Sequence, residues 1–168
     1  MKIQVHQLSV GESVGKNVGA GESLRVLLRD FSLDCPNGKV MTLMGPSGCG
    51  KSSLLAAIAG LPLNGLHVNI EVSLQGQRVD HLPTSQRRIG LLFQDDLLFA
   101  HMSVRQNLLF AVPTGTAAER EAQADAALKE LGFQSLADRS PLTLSGGQRA
   151  RVSLMRTLLA KPQALLLD

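Results

Sequence analysis

One short glycine-rich segment constrains this chain more than any other feature. Residues 45–52 read Gly-Pro-Ser-Gly-Cys-Gly-Lys-Ser and fit the pattern G-x-x-x-x-G-K-[ST]. Glycines allow backbone N–H groups to curl around a phosphate without a clashing Cβ, and the N-terminus of a following helix adds partial positive charge. The segment therefore predicts a P-loop, a site that binds the phosphates of a nucleotide.

The sequence on either side supplies the context that a P-loop requires. Val40 to Met44 is predicted to be a short buried strand, and Ser52 to Ala59 a helix. In this setting we expect Lys51 to contact the β- and γ-phosphates and Ser52 to offer its hydroxyl to Mg²⁺. Cys49 occupies a free position of the motif, and we interpret it as a tolerated small residue rather than a nucleophile.

The rest of the chain alternates between strand-like and helix-like patterns. Helices are predicted over 116–131, which opens with a Thr-x-x-Glu capping box, and from Ser145 to a point before Pro162. A glycine-rich loop is predicted over 11–23 and a turn at Asn37-Gly38. Apolar spacing predicts strands at residues 2–10, 24–33, 68–74, 89–93 and 165–167. Buried strands that alternate with helices predict an α/β fold with a mainly parallel sheet.

Composition narrows the classes of function. The 168 residues are 44% apolar and 18% charged, which excludes a disordered chain and fits one ordinary domain. The net charge is +3, but the basic residues are scattered among only five aromatic residues, so no nucleic-acid partner is expected. Two cysteines cannot form a disulfide scaffold, so a reducing compartment is expected. The longest apolar run, residues 54–63, is about half the length that crosses a bilayer.

A second glycine-rich segment follows the P-loop much later in the chain. Leu144-Ser145-Gly146-Gly147-Gln148 combines a Ser N-cap with two glycines at the start of a predicted helix. Backbone N–H groups at such a helix start attract an anion. Taken alone, the segment could be an ordinary helix cap after a loop. Together with the P-loop, in this order, it indicates a second anion site.

At this point the sequence resembles the ATP-binding subunit of ABC transporters over nearly its whole length. Gln94 matches the glutamine loop of that family, Leu144 to Gln148 match its signature motif, and Ala164 to Asp168 match its Walker B pattern. These follow the P-loop in the family's order. Residues 98–107 are similar to the segment after the glutamine loop in bacterial importers.

The resemblance implies a fold and a division of the chain. The fold would be that of the P-loop NTPases: α/β, with a mainly parallel sheet, an N-terminal antiparallel β part and an inserted helical subdomain. Residues 1–168 would form one ATP-binding domain, with its core at 1–94 and 155–168 and the helical subdomain at 95–154.

The resemblance also implies roles for individual residues toward two cofactors, ATP and Mg²⁺. Lys51, Gln94 and Asp168 would be the catalytic residues of an ATPase. Mg²⁺ would be held by Ser52, Gln94 and Asp168. The nucleotide would be bound by Gly45, Pro46, Ser47, Gly48, Cys49, Gly50, Lys51, Ser52, Ser53, Ser145, Gly146, Gly147 and Gln148.

The implied partners follow from how this family works. Two subunits pair head to tail, as a homodimer or with a related ATPase subunit, and Ser145 and Gly147 act in trans on the partner's ATP. ATP hydrolysis then powers transport of a solute through a membrane permease, with a solute-binding protein in importers. The subunit would be cytoplasmic and peripheral on the inner face of the cell membrane. The solute itself is chosen by those partners and is not encoded here.

Two departures from the family pattern modify these expectations. Residues 11–30 contain no aromatic side chain to stack on adenine, which leaves the guanidinium of Arg25 as a candidate. The family's catalytic Glu, which follows the Walker B Asp, and its later motifs have no counterpart after Asp168. We therefore expect a C-terminally incomplete domain, either a fragment or a truncated gene product, that hydrolyses ATP slowly or not at all. The alternatives are a catalytically inactive nucleotide-binding module and a non-transport ABC ATPase.

Several other polar residues are predicted to be solvated rather than functional. The histidines among them lack partners at the spacing of metal ligands. These residues are the pair Asp95 and Asp96, the pair Arg87 and Arg88, and the loop histidines His81 and His101.

Overall fold

A computed structural model describes residues 1–12, 23–62 and 65–168 of the chain. These residues divide into two units, one made of residues up to Ile89 together with Asp168, and the other of residues 90–167. The glycine-rich loop predicted over 11–23 falls largely on residues 13–22, which lie outside the described residues.

An antiparallel sheet forms the framework of the first unit. Its strand order is β2-β1-β3-β4, with β1 hydrogen-bonded to both β2 and β3. The strands predicted near residues 2–10, 24–33 and 68–74 and the predicted antiparallel part are thereby confirmed. The bounds are β1 Lys2–Glu12, β2 Ser23–Asp34, β3 Leu66–Leu74 and β4 Gln77–Arg78.

A β-bulge explains the irregular apolar spacing of β1. Ile3 and Val5 are buried at odd positions, whereas Leu8 is buried at an even one. The pairing with β3 shifts register between Val5 and Gln7, so one extra residue is inserted there. An inserted residue reverses which face the following side chains occupy. All three apolar side chains therefore reach the same core.

The helix after the P-loop packs against this sheet. α1 spans Lys51–Ala59 and contacts β3, and its buried apolar residues include Leu54 and Ile58. It ends at Gly60, which has φ 79°, a left-handed conformation that glycine adopts without strain. The predicted helix is confirmed.

Arg87 holds the C-terminal end of α1. Its guanidinium donates hydrogen bonds to the carbonyl oxygens of Ala57 at 3.2 Å and Ile58 at 2.9 Å. It also donates to the carbonyls of Leu82 at 2.9 Å and Asp80 at 2.6 Å. Burial lowers the pKa of this arginine. The prediction that Arg87 belongs to a solvated face is wrong, because its guanidinium donates hydrogen bonds to four main-chain carbonyls, two of them at a helix C-terminus.

The strand predicted from Val40 to Met44 does not form. The segment has no regular secondary structure, and Val40 and Met44 are 95% and 88% exposed. A parallel strand needs neighbouring strands, both to satisfy its N–H and C=O groups and to cover its side chains. Within the described residues no strand pairs with this segment, so its apolar composition alone does not make a strand.

The second unit combines a short parallel sheet with three helices. Both strands were predicted near these positions, and in the structure β5 (Ile89–Leu92) pairs with β6 (Ala164–Leu167). The helices are α2 (Val104–Ala111), α3 (Ala117–Leu131) and α4 (Gly146–Leu159). No helix in the described ranges combines the length and apolar character needed to span a membrane.

Each of these three helices starts with a capping box. The predicted Thr116/Glu119 pair caps α3, and Ser145/Gln148 caps α4. α2 is capped by Ser103 and Gln106, and this helix was not predicted although it carries the same Ser-x-x-Gln signal. The three helices share a core that includes Val104, Leu108, Ala124, Leu128 and Val152.

Replacing Arg87 tests whether it secures α1. We expect Arg87→Gln to lower the free energy of unfolding by about 2 kcal/mol, because a partly buried charged donor is removed from several carbonyls. Urea denaturation measures this. Arg88→Gln is the matched control, since Arg88 is exposed, and it should change stability by less than about 0.5 kcal/mol. Equal losses in both variants would contradict the assignment.

Asp80 makes the stability of the same region depend on pH. Hydrogen bonds from Arg78 are the main cause that lowers the pKa of Asp80 to about 2, and the backbone N–H of Val72 contributes. A depressed folded-state pKa stabilises the protein above the ordinary carboxyl pKa, and that contribution is lost as the pH falls toward the folded value.

We therefore expect Asp80→Asn to be less stable than the parent by about 1 kcal/mol at pH 6, after allowance for solvent screening. The difference should shrink steadily as the pH falls from 4 toward 2. Chemical denaturation at a series of pH values measures it. Asp138→Asn is the control, because the Asp138 side chain is 93% exposed. A difference that is independent of pH would exclude the carboxylate as its source.

Candidate functional site

The start of α1 leaves its backbone donors without a capping side chain. Gly50 occupies the N-cap with φ 96° and, as a glycine, has no side chain that could cap the helix. The first turn that follows contains no acidic residue. A Cβ at this position would lie 3.1 Å from the Cβ of Leu27 on β2, so the close approach favours glycine as much as the backbone does. The first N–H groups of the helix thus remain available to an anion.

Lys51 lies against the loop that precedes it. Its Nζ donates hydrogen bonds of 2.8 Å to the carbonyl oxygens of both Gly45 and Pro46, and it lies 3.8 Å from the Sγ of Cys49. The ammonium is therefore held over the glycine-rich loop. This is where the spacing of the motif predicted a cation that faces phosphate.

Ser52 and Asp168 meet at the start of α1. The Ser52 hydroxyl donates a hydrogen bond of 2.7 Å to Oδ1 of Asp168, across 116 residues of sequence. A hydroxyl and a carboxylate provide hard oxygen ligands of the kind that Mg²⁺ prefers. The chemistry of this pair fits a magnesium ion beside the phosphate-binding loop.

A cleft of about 350 Å³ opens beside the P-loop. This size lies within the range typical of small-molecule sites. Arg25 and Leu27, both on β2, and Val10, on β1, form one part of its wall. The rest of the wall is formed by the P-loop residues Ser47, Gly48, Gly50, Lys51, Ser52 and Ser53.

The signature segment in the second unit has a closed cap. The Ser145 hydroxyl accepts a hydrogen bond from the N–H of Gln148 at 3.3 Å, and Oε1 of Gln148 accepts one from the N–H of Ser145 at 2.9 Å. Gly146 and Gly147 then form the first turn of α4. This geometry agrees with the helix start that the sequence predicted.

Gln94 lies shortly after β5 and is exposed. It lines a cleft of about 240 Å³ that also includes Gly146 of the signature segment. The second unit thus brings the predicted glutamine and the start of α4 to one cleft. The remaining lining residues are Leu92, Phe93, Asp95, Asp96, Arg149, Ala150 and Ser153.

Asp96 differs from its neighbour Asp95. The Asp96 carboxylate accepts a hydrogen bond of 2.7 Å from Nε of Arg149, and its main-chain carbonyl accepts one of 2.7 Å from the Ser153 hydroxyl. The prediction of a solvated pair is therefore wrong for Asp96, because α4 supplies it with a cation and a hydroxyl. Asp95 is exposed.

Asn107 is a structural residue that the sequence reasoning missed. It is fully buried on α2, accepts a hydrogen bond from the N–H of Phe99 at 2.9 Å, and donates to the carbonyls of Phe99 and Ser103 at 3.1 and 3.0 Å. One buried amide thus fastens the loop before α2. The available signal was its position three residues after Val104 and one before Leu108, on the core-facing stripe.

A family comparison decides the assignment. The sequence profile described as "ABC transporter" matches residues 28–168, which include the P-loop, Gln94, the signature segment and Asp168. The chain belongs to the ABC transporter family. The family predicted from the motifs is therefore confirmed, and with it ATP binding as the family's common property.

Individual relatives of this ABC domain agree with that assignment. The uncharacterized ABC transporter ATP-binding protein YnjD of Escherichia coli (strain K12) is 48% identical over 155 residues, covering 91% of this chain and 71% of the relative. The sulfate/thiosulfate import ATP-binding protein CysA of Synechocystis sp. is 41% identical over 145 residues, 84% of this chain. The spermidine/putrescine import ATP-binding protein PotA of Pseudomonas fluorescens is 40% identical over 159 residues, 93% of this chain. The chain spans only 39% of the length of this CysA protein and 43% of the length of this PotA protein.

A solved structure confirms the fold of the ABC domain. The ATP-binding cassette MJ0796, in a dimeric post-hydrolysis state bound to ADP and Pi, matches with a TM-score of 0.77 and 26% identity. The match covers 99% of this chain and 73% of that one. The predicted class of P-loop NTPase with an antiparallel β part is therefore confirmed.

Proposed function

We propose that this chain is the ATP-binding and ATP-hydrolysing part of a subunit that powers solute transport through a partner permease. The observation that carries the proposal is the hydrogen bond between Ser52 and Asp168 beside the uncapped start of α1. It joins the two oxygen ligands that a Mg²⁺–nucleotide site needs. The names of the relatives, several of which are import ATP-binding proteins, support transport as the use of that site.

The phosphates would lie in the loop from Gly45 to Ser53. The N–H groups at the start of α1 and the glycine-rich loop would donate to phosphate oxygens. Lys51 would exchange its hydrogen bonds with the carbonyls of Gly45 and Pro46 for contacts to the β- and γ-phosphates. That exchange is favourable, because an ammonium binds an anion more strongly than it binds a neutral carbonyl.

Mg²⁺ would be held by Ser52 and Asp168, with Gln94 contributing from the segment after β5. When bound, the ion neutralises charge on the phosphate oxygens. The Ser52 hydroxyl can continue to donate its hydrogen bond to the Asp168 carboxylate, because its oxygen lone pairs would remain available to the metal. The carboxylate thereby orients the hydroxyl as well as adding negative charge.

The signature segment would contact the ATP bound to a second subunit. Its capping box uses the Ser145 hydroxyl as an acceptor, so the hydroxyl proton remains free to donate to a phosphate. The N–H groups of Gly146 and Gly147 lie at the same helix start. We propose a head-to-tail pair, as a homodimer or with a related ATPase subunit, and the solved dimeric cassettes support it.

We propose that the subunit is peripheral on the cytoplasmic face of the cell membrane. Its core would be residues 1–94 and 155–168, and its helical subdomain residues 95–154 would contact the permease. A solute-binding protein would complete the system if it is an importer. Co-purification with a membrane permease tests this assignment, whereas turnover stimulated by nucleic acid would argue against it.

Asp168 offers a direct test of the metal site. We expect Asp168→Asn to weaken Mg²⁺–ATP binding about tenfold and to leave ATP binding in EDTA unchanged, because only the metal contact loses its carboxylate. Lys51→Ala should weaken binding under both conditions, since its ammonium acts on the phosphates. Isothermal titration with the 168-residue chain measures both.

The matched control for Asp168→Asn is Asp138→Asn, which removes a carboxylate whose side chain is 93% exposed and lies outside the proposed site. It should bind Mg²⁺–ATP like the parent. An equal loss for Asp168→Asn with and without Mg²⁺ would show that the carboxylate acts on the fold rather than on the metal.

Arg25 tests how the base is held. We propose that its guanidinium packs against the adenine ring, since it lines the cleft beside the P-loop together with aliphatic side chains. Arg25→Ala should then weaken ATP binding about fivefold and leave inorganic tripolyphosphate binding unchanged. Competition titrations measure both affinities.

Two controls separate stacking from simple charge attraction. Arg25→Lys keeps the charge without the planar group, so it should also lose affinity for ATP. Arg29→Ala removes another exposed arginine of β2 and should have no effect. A parallel loss of tripolyphosphate binding in Arg25→Ala would mean that Arg25 acts on the phosphates instead.

A further inference from the structure

Arg149 connects two segments that the sequence motifs treat separately. From α4, its Nε donates to the Asp96 carboxylate at 2.7 Å, two residues after Gln94. Its Nη1 donates to the carbonyl of Leu144 at 3.0 Å, immediately before the N-cap Ser145. One planar guanidinium thus fixes the position of the Gln94 segment relative to the start of α4.

A second contact from the same helix reinforces this connection. The Ser153 hydroxyl, four residues and about one helical turn after Arg149, donates to the main-chain carbonyl of Asp96 at 2.7 Å. Ser153 is buried, and the side chains of Arg149 and Asp96 are 36% and 29% exposed. Asp96 is therefore held at both its carboxylate and its backbone, in a partly desolvated setting where an ion pair is screened less than on an open surface.

We propose that Arg149 is a positioning residue that couples residues 94–96 to residues 144–148. The inference rests on the proposed function, because that function assigns the metal contact to Gln94 and the trans contact to Ser145. A displacement of the Gln94 segment, caused by nucleotide or by the membrane partner, is transmitted through Asp96 and Arg149 to the first turn of α4. By linkage, the same coupling acts in the opposite direction.

Amide hydrogen exchange of the 168-residue chain, followed by NMR without nucleotide, tests the coupling. The reporters are the N–H groups of Leu144, bonded to the Pro141 carbonyl, and of Gln148, bonded to the Ser145 hydroxyl. We expect Asp96→Asn to accelerate exchange at both about fivefold, because the neutral amide loses the charge that holds Arg149. Since neither nucleotide nor partner is present, this result is independent of whether the proposed transport function is correct.

Asp95→Asn is the matched control, since it removes the adjacent exposed carboxylate. It should leave the exchange at Leu144 and Gln148 unchanged. The buried amide of Leu128 in α3 reports general loss of stability, and it should exchange at the parent rate in Asp96→Asn. A similar acceleration in the control variant, or at Leu128, would overturn the proposal.

A double-mutant cycle identifies the route. If Asp96 acts through Arg149, then Asp96→Asn should cause no further acceleration in an Arg149→Gln background. If the accelerations of the two single variants multiply in the double variant, the two residues act independently, and this would overturn the proposal.

Ser153→Ala removes only the contact to the Asp96 carbonyl and provides a milder variant. It should accelerate Leu144 and Gln148 in the same direction by about twofold, and an effect confined to residues 95–98 would also overturn it.

Discussion

The uncapped N-terminus of α1 is the constraint on which the first unit depends. A helix start without a capping side chain leaves backbone N–H donors that an anion or water can satisfy. Gly50 makes this start possible through its left-handed backbone and its close approach to Leu27. At the opposite end, Arg87 donates hydrogen bonds to carbonyls in the last turn of the helix. The helix is thus built to bind negative charge at one end and is secured by positive charge at the other.

In the second unit, the backbone donors at a helix start are satisfied by side chains of the chain itself. α4 also begins with glycines, but Ser145 and Gln148 close its cap. A closed cap stabilises the helix without an anion, so its start is formed before any nucleotide arrives. Arg149 then orients this finished helix start relative to the segment that carries Gln94. One helix start is therefore left open for ligand, whereas the other is completed by its own side chains and positioned by an ion pair.

Local rules predicted much of the fold. The P-loop, the capping box of α3, the Ser145 cap of α4, and the apolar spacing of the strands near residues 2–10, 24–33 and 68–74 each depend on neighbours within about one turn or one hairpin. The strand predicted from Val40 to Met44 failed, because a parallel strand depends on neighbours that are distant in sequence. The bulge in β1 could be recognised only once the pairing with β3 was known. α2 was missed although its cap signal was present in the sequence.

The sequence by itself determined the chemistry of the P-loop, because glycine conformation, a helix start and a lysine at fixed spacing are local properties. It also determined the family through the order of the motifs. Only the tertiary structure distinguished Arg87 from Arg88 and Asp96 from Asp95, which are identical residues side by side. Arg87 finds two of its four carbonyl acceptors 29 and 30 residues away, and Asp96 finds its arginine 53 residues away. Neither distance leaves a periodic trace in the sequence, because each contact depends on how separate elements pack rather than on the residues beside it.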